Sequence, residues 1–221
     1  MDVMEAIKTR KSIRAYKPDP VPEEVLQQIV EAARYAVSWG NTQPWEFAIL
    51  GGRVMEEVRE TLYNKPATGE GFAPDIQYPT FSGVYEQRLE EVARQIWEVF
   101  GASRDNEGDT QRVMAIMRRA YDAPNMIVVY MDRSLELLSL LDIGAAIQLI
   151  LLAAHNYGVG CCVMAATSGY PGDLRRILNI LDSKQIIICI SAGYPDMNSP
   201  KNKWQRQREP LASFTSWHGF D

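Results

Sequence analysis

A chain of 221 residues, 46% of them apolar, can bury the core of one compact domain. Its net charge of −5 gives the average surface no pull on nucleic acid, so none is expected as a partner. Asp2, Glu5 and Lys8 break any apolar leader, and the apolar stretch Ile143 to Ala154 is too short for a bilayer. The expectation is a cytoplasmic chain with no membrane partner.

In chain order, residues 2–10 read as a first helix, with Asp2 as N-cap and Val3, Ala6 and Ile7 as its apolar stripe. Ser12 to Tyr16 alternates like a short extended segment. Pro18, Pro20 and Pro22 then stiffen the connection to a second helix, which carries Val25, Leu26, Ile29, Val30 and Ala33 inward and ends near Ser38. Trp45 to Leu50 reads as a strand, stopped by Gly51 and Gly52, with a helix from Val54 to Leu62 after it. Residues 64–83 form a long irregular stretch rich in Pro, Gly and aromatics. Amphipathic helices follow near Val84–Phe100 and Thr110–Tyr121, then a buried strand from Asn125 to Met131.

Ser134 to Tyr157 predicts a long helix, apolar on most faces, that needs a large core or a subunit interface to cover it. Gly144, Ala145 and Ala146 would let another helix come close. Strands are expected at Gly160–Ala165 and Gln185–Ala192, with a helix from Pro171 to Leu181 between them. The second strand has no polar face and should be central. The sum is an α+β fold: an α/β sandwich, a mixed central sheet covered by helices. The tail after Gly193 is polar but ends in Phe214, Trp217 and Phe220, which call for burial on the body or on a second subunit.

The histidines, His155 and His218, have no partner at metal-ligand spacing, and the cysteines, Cys161, Cys162 and Cys189, read as small buried hydrophobes. No metal site and no histidine-based triad is expected. Lys8, Arg10, Lys11, Arg14 and Lys17 crowd ten residues of an otherwise acidic chain, with Ser12 among them. A hydroxyl between guanidinium groups suits a phosphate. Lys201, Lys203, Arg206 and Arg208 make a second basic group near the other end, and a dianionic phosphate would explain their convergence. Asn41-Thr42-Gln43-Pro44-Trp45 offers carboxamides that can read the edge of a heteroaromatic ring without adding charge. Gly158-Val159-Gly160 leads from helix to strand and lacks a third glycine, so it is no dinucleotide fingerprint; Gly158 reads as the residue closing a helix.

Arg10-Lys11-Ser12-Ile13-Arg14-Ala15-Tyr16 resembles the opening R-R-S-x-R-x-F/Y motif of the nitroreductase family. Residues 41–45 resemble its N-x-Q-P-W block. Gly158 to Gly160, Ser191 to Asp196 and Arg208 to Leu211 are similar to its later blocks, in the same order along nearly the whole chain. The closing Trp217-His218-Gly219-Phe220 is similar to the W-x-G-F ending of a branch that reduces nitroaromatic acids and related compounds. Val37-Ser38 stands where many relatives carry Pro-Ser, and Cys161 to Ala166 lacks a Pro common in relatives.

The resemblance implies a single FMN-binding domain over residues 1–221 that forms an intertwined homodimer with two shared FMN sites. It implies FMN as cofactor, NADH or NADPH as donor, and a small-molecule acceptor, nitroaromatic or similarly electron-poor, in a ping-pong reaction. Arg10, Lys11, Ser12 and Arg14 would hold the cofactor, Asn41 and Gln43 its polar edge, and Arg206 and Arg208 its phosphate. Ser38 would contribute from the partner, and the amides of Met164 and Ala165 would face the flavin N5. No side chain is expected to act as a catalytic acid or base. Residues 62–121, with Phe72, Tyr78, Phe81, Tyr85 and Trp97, would form a lid over the acceptor, and the tail 194–221 would dock on the partner. Reduction of quinones, flavins or enones, a flavin carrier without turnover, and a flavin-free interaction protein are the rival readings.

Overall fold

A computed structural model describes residues 1–63, 65, 71–204 and 206–220. Residue 64 and residues 66–70 of the expected irregular stretch lie outside these. The centre is a four-stranded sheet: β1 (Glu46–Leu50), β2 (Asn125–Asp132), β3 (Gly160–Met164) and β4 (Lys184–Gly193), in the order β1-β2-β4-β3. Every adjacent pair is antiparallel, which corrects the expected mixed sheet. Parallel pairing occurs, among the described residues, only at the isolated bridge from Ser12 to Cys161. β4 is central, as its unbroken isoleucines required.

Both sheet faces are covered, because side chains alternate along each strand. Met126 and Val128 of β2 point to one face, where they meet Met55, Val58 and Leu62 of helix α3 (Gly52–Tyr63), Val113 of α5 (Glu107–Arg118) and Leu174 of α8 (Pro171–Leu178). Ile127 and Val129 point to the other, against Leu26 and Ile29 of α2 (Glu23–Glu31) and Ile143 and Ile150 of α6 (Ser139–Asn156). The remaining helices are α1 (Val3–Thr9), α4 (Val84–Val99) and the single turn α7 (Ala165–Ser168), the last unexpected.

Local chemistry explains where helices depart from expectation. Asp132 accepts from Ser134 N at 2.9 Å and Ser134 Oγ at 2.7 Å, a competing turn that delays α6 to Ser139. Asn106 caps α5 by accepting from Asp109 N at 3.0 Å, so that helix begins three residues before Thr110. Asn179, at φ 54°, ends α8 in the left-handed region. The second helix leaves α geometry at Glu31 and adds one tighter turn, Ala32–Tyr35.

α6 is 18 residues long, not the short apolar run first considered, and by length and composition alone it could cross a membrane. Ile143, Ala146, Ile150 and Ala154 are instead packed on the sheet. Its outer side and the loop before it expose Leu137, Leu138 and Leu141, beside exposed Val37 and Trp39. The excursion 62–121 is only partly a cover. Phe72 and Trp97 pack against the core, whereas Phe81 and Tyr85 are exposed. Asp75 fastens it to the body by accepting from Ile186 N at 2.7 Å and pairing with Arg133 and Arg175.

Candidate functional site

The segment Arg10 to Tyr16 lies along β3 as a short extra rung. Ile13 N donates to Cys161 O at 3.0 Å, and Lys17 N to Tyr194 O at 2.8 Å. Two glycines allow this approach: a Cβ on Gly160 would sit 2.5 Å from Ile13 Cγ1, and one on Gly193 2.9 Å from Tyr16 Cδ1. Tyr16 closes the segment by donating to Ile13 O at 2.7 Å.

The far end of the chain is clasped to this segment by Asn202. Its Oδ1 accepts from Arg14 N at 2.8 Å, and its Nδ2 donates to Ala15 O at 2.7 Å and to Asp196 O at 2.9 Å. Every group of this buried amide is satisfied. The clasp delivers Arg206 to Ser12, where its Nη2 donates to the hydroxyl at 2.9 Å. The indole of Trp204 is approached by two guanidinium groups, Arg14 5.5 Å and Arg206 5.4 Å from the ring centre.

Arg14, Arg206, Arg208 and Arg10 thus share one neighbourhood. Partial burial, and then the Arg14 guanidinium, lower the Arg206 pKa; Arg208 and Arg10 push the same way. Among the described residues none of the four is in an ion pair, and the buried Nε of Arg14 has no hydrogen-bond partner. Such a cluster, without a carboxylate, is suited to a polyanion. Arg208 is exposed and donates to Gln207 O at 3.2 Å. Lys11 and Arg10 both line a groove of about 460 Å³ with Ile13, His155 and Pro195.

Met164 and Ala165 lie farther along the same strand. Met164 is buried, and Ala165, exposed, opens the single turn α7, so its N–H lacks an intrahelical partner. It is four residues past Cys161, roughly 13 Å along the strand from the cations. The excursion reaches this point through Tyr78, which donates to Ala165 O. His155 and His218 take no part: His155 meets Thr9 Oγ1 at 2.8 Å, and His218 meets Ser216.

Ser38, Asn41 and Gln43 form a tight loop of their own. Gln43 N donates to Ser38 Oγ at 3.1 Å, and Gln43 Nε2 to Asn41 O at 3.2 Å. Asn41 and Gln43 hold φ values of 59° and 49°, unusual for side chains that could relax. This loop is not brought to the cations of its own chain. Trp39 N donates to Asp142 near the start of α6, whereas the N-terminal segment meets His155 near its end. Thirteen helical residues separate those points by about 20 Å.

Three contributors carried no signal in the sequence: Asn202, Trp204 and Tyr121. Tyr121 is buried in a turn whose residues Ala120, Tyr121 and Asp122 all have φ 57°, and it lies beside Arg14 and Cys162 beneath the cations. Only burial among apolar side chains marks it, and that is indistinguishable from core in a sequence.

The fold and site define an antiparallel sheet covered by helices on both faces, with an anion cradle built from both chain ends. The family model described as "Nitroreductase family" matches residues 7–194, and the chain belongs to that family. It is 30% identical over 216 residues to a nitrobenzene nitroreductase of Ectopseudomonas oleovorans, covering 96% of this chain and 94% of that one. Two solved structures superpose closely. One is the FMN and NADPH-dependent nitroreductase NfnB of sphigopyxis sp. strain HMH, with TM-score 0.94, 26% identity and all of both chains covered. The other is the FMN-dependent nitroreductase NfnB of Mycobacterium smegmatis in complex with NADPH, with TM-score 0.92, 28% identity and 97% of each chain covered.

Proposed function

We propose that this chain is an FMN-dependent oxidoreductase that passes electrons from NAD(P)H to nitroaromatic or similarly electron-poor acceptors by a ping-pong mechanism. The observation that carries the reading is the meeting of Arg10, Arg14, Arg206 and Arg208 with Ser12, unneutralised by any described carboxylate. FMN fits these residues, because its phosphate supplies the missing anion and Arg14 Nε is left without a partner until one comes. NADPH is the donor named for both structural relatives above.

Bound FMN supplies the chemistry that accepts hydride from NAD(P)H and hands it on. The chain's own residues bind and orient. Arg14, Arg206 and Ser12 would hold the phosphate end, Arg10 and Arg208 adding charge. The exposed Ala165 N–H and its neighbour Met164 would meet the ring. The chain needs no acid or base for this, only position and electrostatics.

We also propose that the working form is a homodimer in which Ser38, Asn41 and Gln43 of one subunit complete the site of the other. Within one chain the two segments are anchored roughly 20 Å apart along α6, the loop at Asp142 and the N-terminal segment at His155, which supports that division. The exposed leucines around the start of α6 would be covered by the same contact. The tail, residues 194–221, would reach across. Phe214, Trp217 and Phe220 are 68%, 68% and 77% exposed, and Trp217 and Phe220 pack only on each other, edge to face. A groove of about 920 Å³ between α2 and the free edge of β1, lined by Val30, Trp45, Phe47 and Ile49, is suited to receive these rings. Exposed Phe81 and Tyr85 make the excursion 62–121 a candidate lid. The three thiols are free and buried, which suits a reducing cytoplasm.

Steady-state oxidation of NADPH by the FMN-loaded protein, at several fixed nitrobenzene concentrations, tests the reading. Parallel double-reciprocal lines are expected. NADPH oxidation that no nitroaromatic accelerates would contradict it.

A further inference from the structure

We infer that Trp204 is a positioning residue that holds Arg14 and Arg206 ready for the anion before it arrives. The inference rests on the cofactor reading above and deepens it. Two guanidinium groups that converge without a carboxylate repel each other. Arg14 is held by its burial, but Arg206, on the exposed tail, would swing away, and anion binding would have to gather it back. In this chain both approach a single indole, its centre 5.5 Å from Arg14 and 5.4 Å from Arg206. An aromatic face attracts a cation, and indole does so best of the natural rings. One ring therefore offers both cations an attractive partner.

The ring is itself fixed. Its Nε1–H donates to Gln95 of α4, and two residues earlier Asn202 anchors the backbone to Arg14 N and Ala15 O. Arg206 is fixed from its other end by Ser12. Trp204 thereby joins the N-terminal segment, the tail and the excursion at one point. Gln87, Arg88 and Gln95 of α4 line, with Trp204, Arg206 and Arg208, a groove of about 700 Å³ beside the cations. Pre-positioning of this kind lowers the ordering that binding would otherwise require.

The role belongs to the π face and not to bulk, which separates it from packing. Trp204→Phe keeps an aromatic face, whereas Trp204→Leu keeps apolar volume without one. Equilibrium titration with FMN, read by quenching of flavin fluorescence, should find the Phe variant within about threefold of wild type. The Leu variant should bind about tenfold more weakly. Thermal melting of the apo forms should place the two variants close together. Equal FMN affinity in the Phe and Leu variants, whether both strong or both weak, would overturn the inference while leaving the cofactor reading intact. A wild-type chain that takes up no FMN would overturn the cofactor reading and this inference with it.

A second measurement is read first in the wild-type protein. Inorganic phosphate, added to wild-type protein stripped of FMN, should change tryptophan emission as the guanidinium groups shift from ring to anion. The change should be missing in Trp204→Phe. Phosphate binding detected by calorimetry with no emission change in wild type would also overturn the inference.

Discussion

The two ends of the chain meet at one site but are built in opposite ways. The N-terminal contribution is finished within one subunit: Arg14 is 6% exposed, its segment is bonded to β3 and β4, and Asn202 fixes its backbone. The tail is fixed only as far as Arg206. Beyond it Arg208 bonds its own neighbour, Arg88 and Glu209 form an exposed ion pair, and three aromatic rings are left in solvent. The difference teaches that the cradle's floor is encoded by the chain's own packing, whereas its tail, in the homodimer proposed above, would find its surface on the partner. The loop at Asn41 and Gln43 teaches the same lesson, being well formed locally and far from the cations it should join.

The sharpest way to break this contrast is Arg14→Ala. Charge-assisted bonds to a phosphate contribute about 1.5–3 kcal/mol, so FMN affinity should fall roughly 10- to 150-fold. The melting temperature of the apo protein should move much less. FMN retained unchanged through dialysis would remove Arg14 from the site. Next in size, Trp217→Ala should weaken the dimer about 30-fold, the loss expected of an aromatic anchor worth about 2 kcal/mol. Sedimentation across a dilution series reads this directly. An unchanged dimer would mean that the tail docks nowhere.

A smaller effect reports on the finished end. His155 joins α6 to α1, the helix that leads into Arg10. Thr9 Oγ1 donates to Glu5 O at 2.7 Å, so at 2.8 Å it accepts from His155 Nε2–H. Burial, and then the Arg10 guanidinium, lower the His155 pKa. A lowered histidine pKa means that the unfolded chain binds the proton more readily. The stabilisation is therefore complete above the ordinary value near 6.5 and is lost as pH falls through the lower folded value. Melting scans from pH 7.5 to 5 should show a drop of about a degree or two that His155→Gln lacks. The same drop in both proteins would place the titration elsewhere.

Much of this was legible in the sequence, and what was missed has physical causes. Periodicity located every strand and the long helices because apolar spacing follows burial directly. The basic residues near both chain ends could be singled out because clustered cations stand out in an acidic chain, whereas Met164 and Ala165 were named only through the family resemblance. The antiparallel sheet was not readable, because alternation of helix and strand suits either direction. The start of α6 was misplaced because Asp132 and Ser134 compete for the backbone through a bond that composition does not announce. Asn202 and Trp204 act across more than 180 residues of chain, and local pattern is blind to such distances.

The most direct test of the central claim is the absorbance spectrum of the dialysed, FMN-incubated protein without oxygen, before and after NADPH. Retained flavin bands that bleach on addition of NADPH are the predicted result. A colourless protein, or bands that NADPH leaves unchanged, would contradict the account.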